Sequence, residues 1–157
     1  MLDQPIRRDI LIHAPPTVVW RVLTTPDYLA RWFCDAATID LQPGGRGTIT
    51  FRERATHRPT SVPIQVETVE PPHRFAFRWS HPAGAIAHAS NSVLVEFTLS
   101  AEGEATRLRV LESGLGALGW SASAQQTYAD EHRQGWQTHL ANLDAYVTAH
   151  SQTLAAH

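Results

Sequence analysis

The stretch from Ile12 to Phe33, I-H-A-P-P-T-V-V-W-R-V-L-T-T-P-D-Y-L-A-R-W-F, constrains this chain more than any other, because it encodes an abrupt strand end followed by two short helices. Ile6, Ile10, Leu11 and Ile12 supply strand character, and Pro15-Pro16 then removes two successive backbone donors, so ladder pairing stops. Past the prolines, Val18, Val19, Val22 and Leu23 form one apolar stripe at helical spacing, which predicts a first helix. Thr25 is placed to cap a second helix with its hydroxyl, Pro26 suits that helix's first position, and Asp27 suits the positive end of its dipole. Leu29, Trp32 and Phe33 share one face of it. A helix that short is not stable alone, so its aromatic residues need a surface to pack against.

After Phe33 the period changes to two. Thr38 to Leu41 reads as a short strand, Pro43-Gly44-Gly45-Arg46-Gly47 as a turn, and Gly47 to Glu53 as a strand with Ile49 and Phe51 on one face. Ser61 to Glu70 follows with Val62, Ile64 and Val66 on one side, and Pro71-Pro72 ends it. His73 to Ser80 aligns Phe75, Phe77 and Trp79, a large aromatic face that belongs to a core or a pocket. His81 to Asn91 is a longer connection and a candidate rim or lid. Ser92 to Ser100, with Val93, Val95, Phe97 and Leu99 inward, pairs with Ala105 to Glu112 in a hairpin. Ser113 to Ser123 should be irregular. From about Ala124 to His150 a long amphipathic helix carries Tyr128, His132, Gly135, Trp136, His139, Leu140, Leu143 and Val147 on one stripe, and the tail from Ser151 onward should fray. This order of elements predicts an α+β fold, with the long helix lying across the inner face of an antiparallel sheet.

Composition narrows the function classes. The chain has 157 residues, 43% of them hydrophobic and 18% charged, with a formal net charge of -2. Its thirteen Lys and Arg positions are scattered, with no basic run to track phosphates, so no nucleic-acid partner is expected. No apolar run is long enough to insert into a membrane, and the N-terminus lacks the apolar core of a signal peptide. A single cysteine, Cys34, forms no internal disulfide and suits the cytoplasm.

The Trp20 position in the first helix, Trp32-Phe33 ending the second, the Pro-Gly-Gly-Arg-Gly turn, the Pro-Pro-His-Arg-Phe strand entry and the Gly135-Trp136 pair together resemble the activator of heat-shock protein 90 ATPase homologue-like family, a branch of the START-like, SRPBCC helix-grip superfamily. The resemblance implies one START-like domain over residues 1–157, with its core at about 6–150. It also implies a curved antiparallel sheet of about seven strands wrapped around the C-terminal helix, with a cavity between them. Glycine inside a helix costs about 1 kcal/mol relative to alanine, so Gly135 should be offset by a close approach to the sheet or by space left for a ligand; close packing is the favoured expectation.

In such a cavity the expected lining is Trp32, Phe33, Phe51, Phe77, Trp79, Phe97, Trp136 and Leu140, with Glu112, Tyr128 and His132 as the polar groups. All the aromatics are core by default, and Trp79 and Trp136 are the preferred residues to serve as both core and wall. Glu112 shares parity with Leu108 and Val110, so it points inward and needs a partner. Arg52, Arg78 and Glu96 alternate with apolar neighbours and point to solvent. His132 and His139 lie two turns apart, about 10 Å along the axis, too far for one ion to be bound by both, and no metal or other cofactor is expected. Nothing near Cys34 marks it as a nucleophile.

The function expected first is a small-molecule-binding protein for an apolar or aromatic ligand. An aromatase/cyclase-like enzyme using His132, Glu112 or Tyr128 as acid/base groups is the alternative, although the reading leans away from catalysis. A co-chaperone or stress-response module is implied by the family name alone. A homodimer is compatible with the sequence without being encoded in its periodicity.

Overall fold

Pro15 and Pro16 divide the chain where the sequence predicts. In a computed structural model describing residues 5–53, 55–80 and 91–155, strand β1 covers Ile6–Ile12 and helix α1 covers Pro16–Thr24, with Pro16 at its first position. Val18, Val19, Val22 and Leu23 are its buried stripe. Helix α2, Pro26–Trp32, follows at once. The Thr25 hydroxyl makes no capping bond, contrary to expectation: the Tyr28 and Leu29 amides donate to the Thr25 carbonyl at 3.0 and 2.9 Å instead, while the Thr25 amide donates to Arg21 O at 3.1 Å. One residue's backbone thus closes one helix and opens the next.

Six strands come next: β2 Ala36–Ile39, β3 Arg46–Arg52, β4 Pro59–Glu70, β5 Arg74–Ser80, β6 Ser92–Glu102 and β7 Ala105–Ser113. All pair antiparallel, in the order β1-β7-β6-β5-β4-β3-β2. The β2–β3 turn depends on Gly45, where a Cβ would sit 2.1 Å from Asp40 O. A bulge between Val66 and Thr68 shifts the register of β4 against β5, which bends the sheet locally. Residues 81–90, where the candidate rim falls, lie outside the described residues.

The inward positions are buried as the alternation predicts. Phe75, Phe77, Trp79, Val93, Val95, Phe97, Leu108 and Val110 form one face of the core. On the other face Arg74 pairs with Glu96, and Arg78 Nε reaches Glu67 Oε2 at 2.6 Å. Arg52 is exposed, whereas Arg78 and Glu96 are half-covered by these pairings.

The sheet is curved around the C-terminal helix α3, Ala122–Ala149, whose N-terminus is capped by the Ser121 hydroxyl accepting from the Ala124 amide at 3.1 Å. This is the helix-grip fold. Ala129, Trp136, Leu140, Leu143 and Val147 are its buried face. The tail does not fray as expected. It forms a fourth helix, α4 Ser151–Ala155, which buries Leu154 to 1% exposure. Arg21 Nη1 on α1 donates to the Leu154 carbonyl at 2.8 Å, so a tertiary contact holds what local sequence would leave loose.

Candidate functional site

Glu112 sits near the end of β7, paired with Ile6 on one side and Val95 on the other. Paired on both sides and facing α3, Glu112 is 2% exposed. Burying a charge there is costly without partners, and α3 delivers three at successive turns. His132 Nδ1 and Trp136 Nε1 lie 2.9 and 2.8 Å from Oε1, and the Tyr128 hydroxyl bonds to Oε2. Tyr128 in turn accepts from Trp79 Nε1 at 3.2 Å. The spacing of these residues, four apart on the helix, brings all three to one face.

The direction of each bond follows from its chemistry. Indole only donates, so Oε1 is an acceptor; the Tyr128 oxygen already receives the Trp79 proton and gives its own to Oε2. Nδ1 of His132 donates to the same Oε1 in the tautomer that carries its proton on Nδ1. Burial, and then the neighbouring Glu112 charge, push the Tyr128 phenol far up, so it stays protonated. Its ring stacks on His132 with centroids 3.7 Å apart and planes 17° apart, fixing the imidazole's orientation.

Above this cluster lies a cavity of about 460 Å³, bounded by the end of α2, by β3, β4 and β5, and by α3. Phe33, Phe51, Val62, Trp79 and Trp136 supply its apolar wall; Ser80, Tyr128, Glu131, His132 and His139 are polar; Gly135 completes the lining. A Cβ on Gly135 would meet nothing within 4 Å. The expected close approach of helix to sheet is therefore absent, and the glycine borders open space. His139 is held between Phe33 and Trp136 at centroid distances of 4.8 and 5.9 Å. Burial pushes its pKa down, against a hydrogen bond from the ring to the Trp32 backbone carbonyl and with repulsion from His132 when that ring is protonated. Its Nδ1 has no hydrogen-bond partner among the described residues. No group of three His, Cys, Asp or Glu side chains among the described residues is placed to hold a metal ion.

Of the residues expected to line a cavity, Phe33, Phe51, Trp79, Tyr128, His132 and Trp136 do so. Trp32, Phe77, Phe97 and Leu140 are instead buried in the core beneath. Trp32 faces back toward α1, its indole donating to Val22 O at 3.1 Å, and Phe97 is covered edge-on by Trp136 at 5.7 Å. Glu112 lies under the wall and acts through the side chains that cover it. Ser80, Glu131 and His139 were not among the expected lining residues. His139 follows Trp136 by three positions and so shares its face, a spacing that could have located it.

Over residues 13–148 the sequence matches the family described as activator of Hsp90 ATPase homolog 1-like protein. No curated protein matches it. Among solved structures, it is similar to a protein from Nitrosomonas europaea at 16% identity and a TM-score of 0.78, over 96% of this chain and 97% of that one. It is similar to the Aha1 dimer from Colwellia psychrerythraea at 20% identity and a TM-score of 0.68, over 89% and 92%. DynU16, from the dynemicin biosynthetic locus, shares 26% identity at a TM-score of 0.72 over 93% of this chain and 48% of that chain.

Proposed function

This chain belongs to the activator of Hsp90 ATPase homolog 1-like family, and from that premise we propose that it is a cytoplasmic small-molecule-binding protein that encloses an apolar or aromatic ligand between its sheet and its long helix. The observation that carries this reading is the aromatic-walled cavity of about 460 Å³ beside Gly135. Its size falls within the roughly 300–1,000 Å³ typical of ligand sites, and its lining has the usual character of such sites, mostly apolar with few polar groups. Glycine at position 135 lowers helix propensity, and no close contact at that position offsets the loss; a side chain there would take up cavity space. Native mass spectrometry, paired with displacement of a fluorescent anilinonaphthalene dye by naphthalene, tests the reading. Saturable one-to-one binding is expected. Absence of any saturable apolar binding overturns it.

The hydrogen bond between His132 and Glu112 favours a second reading, an aromatase/cyclase-like enzyme in the same cavity. An imidazole oriented by a buried carboxylate is a suitable acid/base group, and its removal in His132→Ala should lower turnover of an aromatic or polyketide-like substrate about 10²-fold or more. Unchanged turnover removes His132 from any mechanism.

A further inference from the structure

We propose that the cavity selects a ligand carrying a weakly acidic hydroxyl, a phenol or an enol, held by a hydrogen bond between that hydroxyl and Nε2 of His132. The proposal rests on the ligand-binding reading and adds the chemical class of the ligand. Nδ1 of His132 is committed to Oε1 of Glu112 at 2.9 Å, an oxygen that also accepts the Trp136 indole proton at 2.8 Å. In the neutral ring that carries its proton on Nδ1, facing the carboxylate, the lone pair is on Nε2. Stacking on Tyr128 and an edge contact with Trp79 at 6.0 Å hold the ring in place. The ring lines the cavity, and Nε2, on the side away from Glu112, has no partner among the described residues.

A ligand hydroxyl gives this nitrogen the donor it lacks. The proton can rest on either side of that bond, as phenol with imidazole or phenolate with imidazolium, and the net charge of the site is the same in both. A carboxylate or phosphate ligand fits poorly: the described lining contains no Arg or Lys, while Glu131 lines the cavity and the Glu112 carboxyl is buried beneath it. The aromatic wall favours a flat ring system as the body of the ligand.

Equilibrium dialysis of the intact protein with naphthalene, 2-methoxynaphthalene, 2-naphthalenemethanol and 2-naphthol tests this. We expect 2-naphthol to bind about tenfold or more tighter than naphthalene, the size of one hydrogen bond to a well-oriented acceptor. The methoxy compound, which has no proton to donate, should bind like naphthalene, and the aliphatic alcohol should bind more weakly than the naphthol. In His132→Ala the naphthol preference should vanish while naphthalene still binds, which also reports that the variant is folded. If naphthalene and 2-naphthol bind the wild-type protein equally, or if the aliphatic alcohol matches the naphthol, the proposal is overturned and the apolar-cavity reading stands. If none of the four compounds binds, both fall.

Discussion

The rings of Phe33 and Trp136 stack with their planes 7° apart and their centroids 5.6 Å apart, which ties the end of α2 to the middle of α3 at the wall of the cavity. Phe33 and Trp136 are more than a hundred residues apart in sequence, and Tyr28 against Tyr146, with centroids 6.1 Å apart, joins the same two helices. These contacts give α2, a helix of seven residues, the tertiary support that so short a helix needs.

Trp136 has a second task, donating to Glu112, and the two can be separated. Phenylalanine at position 136 keeps a ring against Phe33 but removes the indole donor from Oε1. Trp136→Phe should therefore cost about 1–3 kcal/mol of stability, the penalty for a buried acceptor that loses a partner, with lost volume adding to it. Urea unfolding measures it. A loss within experimental error would mean that Glu112 does not depend on this donor.

Gly135 offers a trade between stability and binding. Its Cβ position is empty to 4 Å, so Gly135→Ala meets no clash and should raise stability by up to about 1 kcal/mol through helix propensity. The added methyl projects into cavity space, so naphthalene affinity should fall in the same variant. A stability gain with unchanged affinity would show that ligands do not occupy the space beside the helix.

His139 should make stability depend on pH. Its pKa is lowered from the ordinary 6.5, chiefly by burial, so below pH 6.5 the unfolded chain takes up a proton that the folded protein resists. Stability therefore rises with pH across the window between the depressed value and 6.5, and is lost as pH falls through that window. Chemical unfolding followed from about pH 7 to about pH 5 should show a smaller decline in His139→Gln than in the wild type. Parallel curves would assign the decline to other groups.

Cys34 should be inert while the protein is folded. Burial, reinforced by the charge of Asp35, pushes its thiol up to about 11, against a backbone hydrogen bond from Ala36. Since the thiolate is the reactive form, iodoacetamide at neutral pH should leave Cys34 largely unmodified in the native protein and alkylate it rapidly in urea. Equal rates in the two conditions would contradict this burial.

Much of the architecture is legible in local pattern. Paired prolines stop β1 and open α1, and alternation along β5, β6 and β7 separates buried from solvated faces. The i, i+4 spacing of Tyr128, His132 and Trp136 puts them on one side of α3. Even the inward direction of Glu112 follows from parity with Leu108 and Val110. These features depend on residues close in sequence, whose conformational preferences and periodicities act before the chain has closed on itself.

What local pattern leaves open is decided by long-range placement. Phe77 and Trp79 share a parity, yet only Trp79 reaches the cavity, because depth along a strand depends on what crosses above it. Thr25 joins two helices through its backbone while its hydroxyl makes no capping bond, and the tail is helical because Arg21 holds the Leu154 carbonyl. Gly135 is compatible with close packing or with open space until the distance from α3 to the sheet is known. The convergence of three donors on Glu112 likewise requires β7 and α3 to be brought together. Sequence determined the fold and the candidate polar groups; the tertiary structure alone decided which of them surround a cavity, because that depends on separations between elements that no local periodicity encodes.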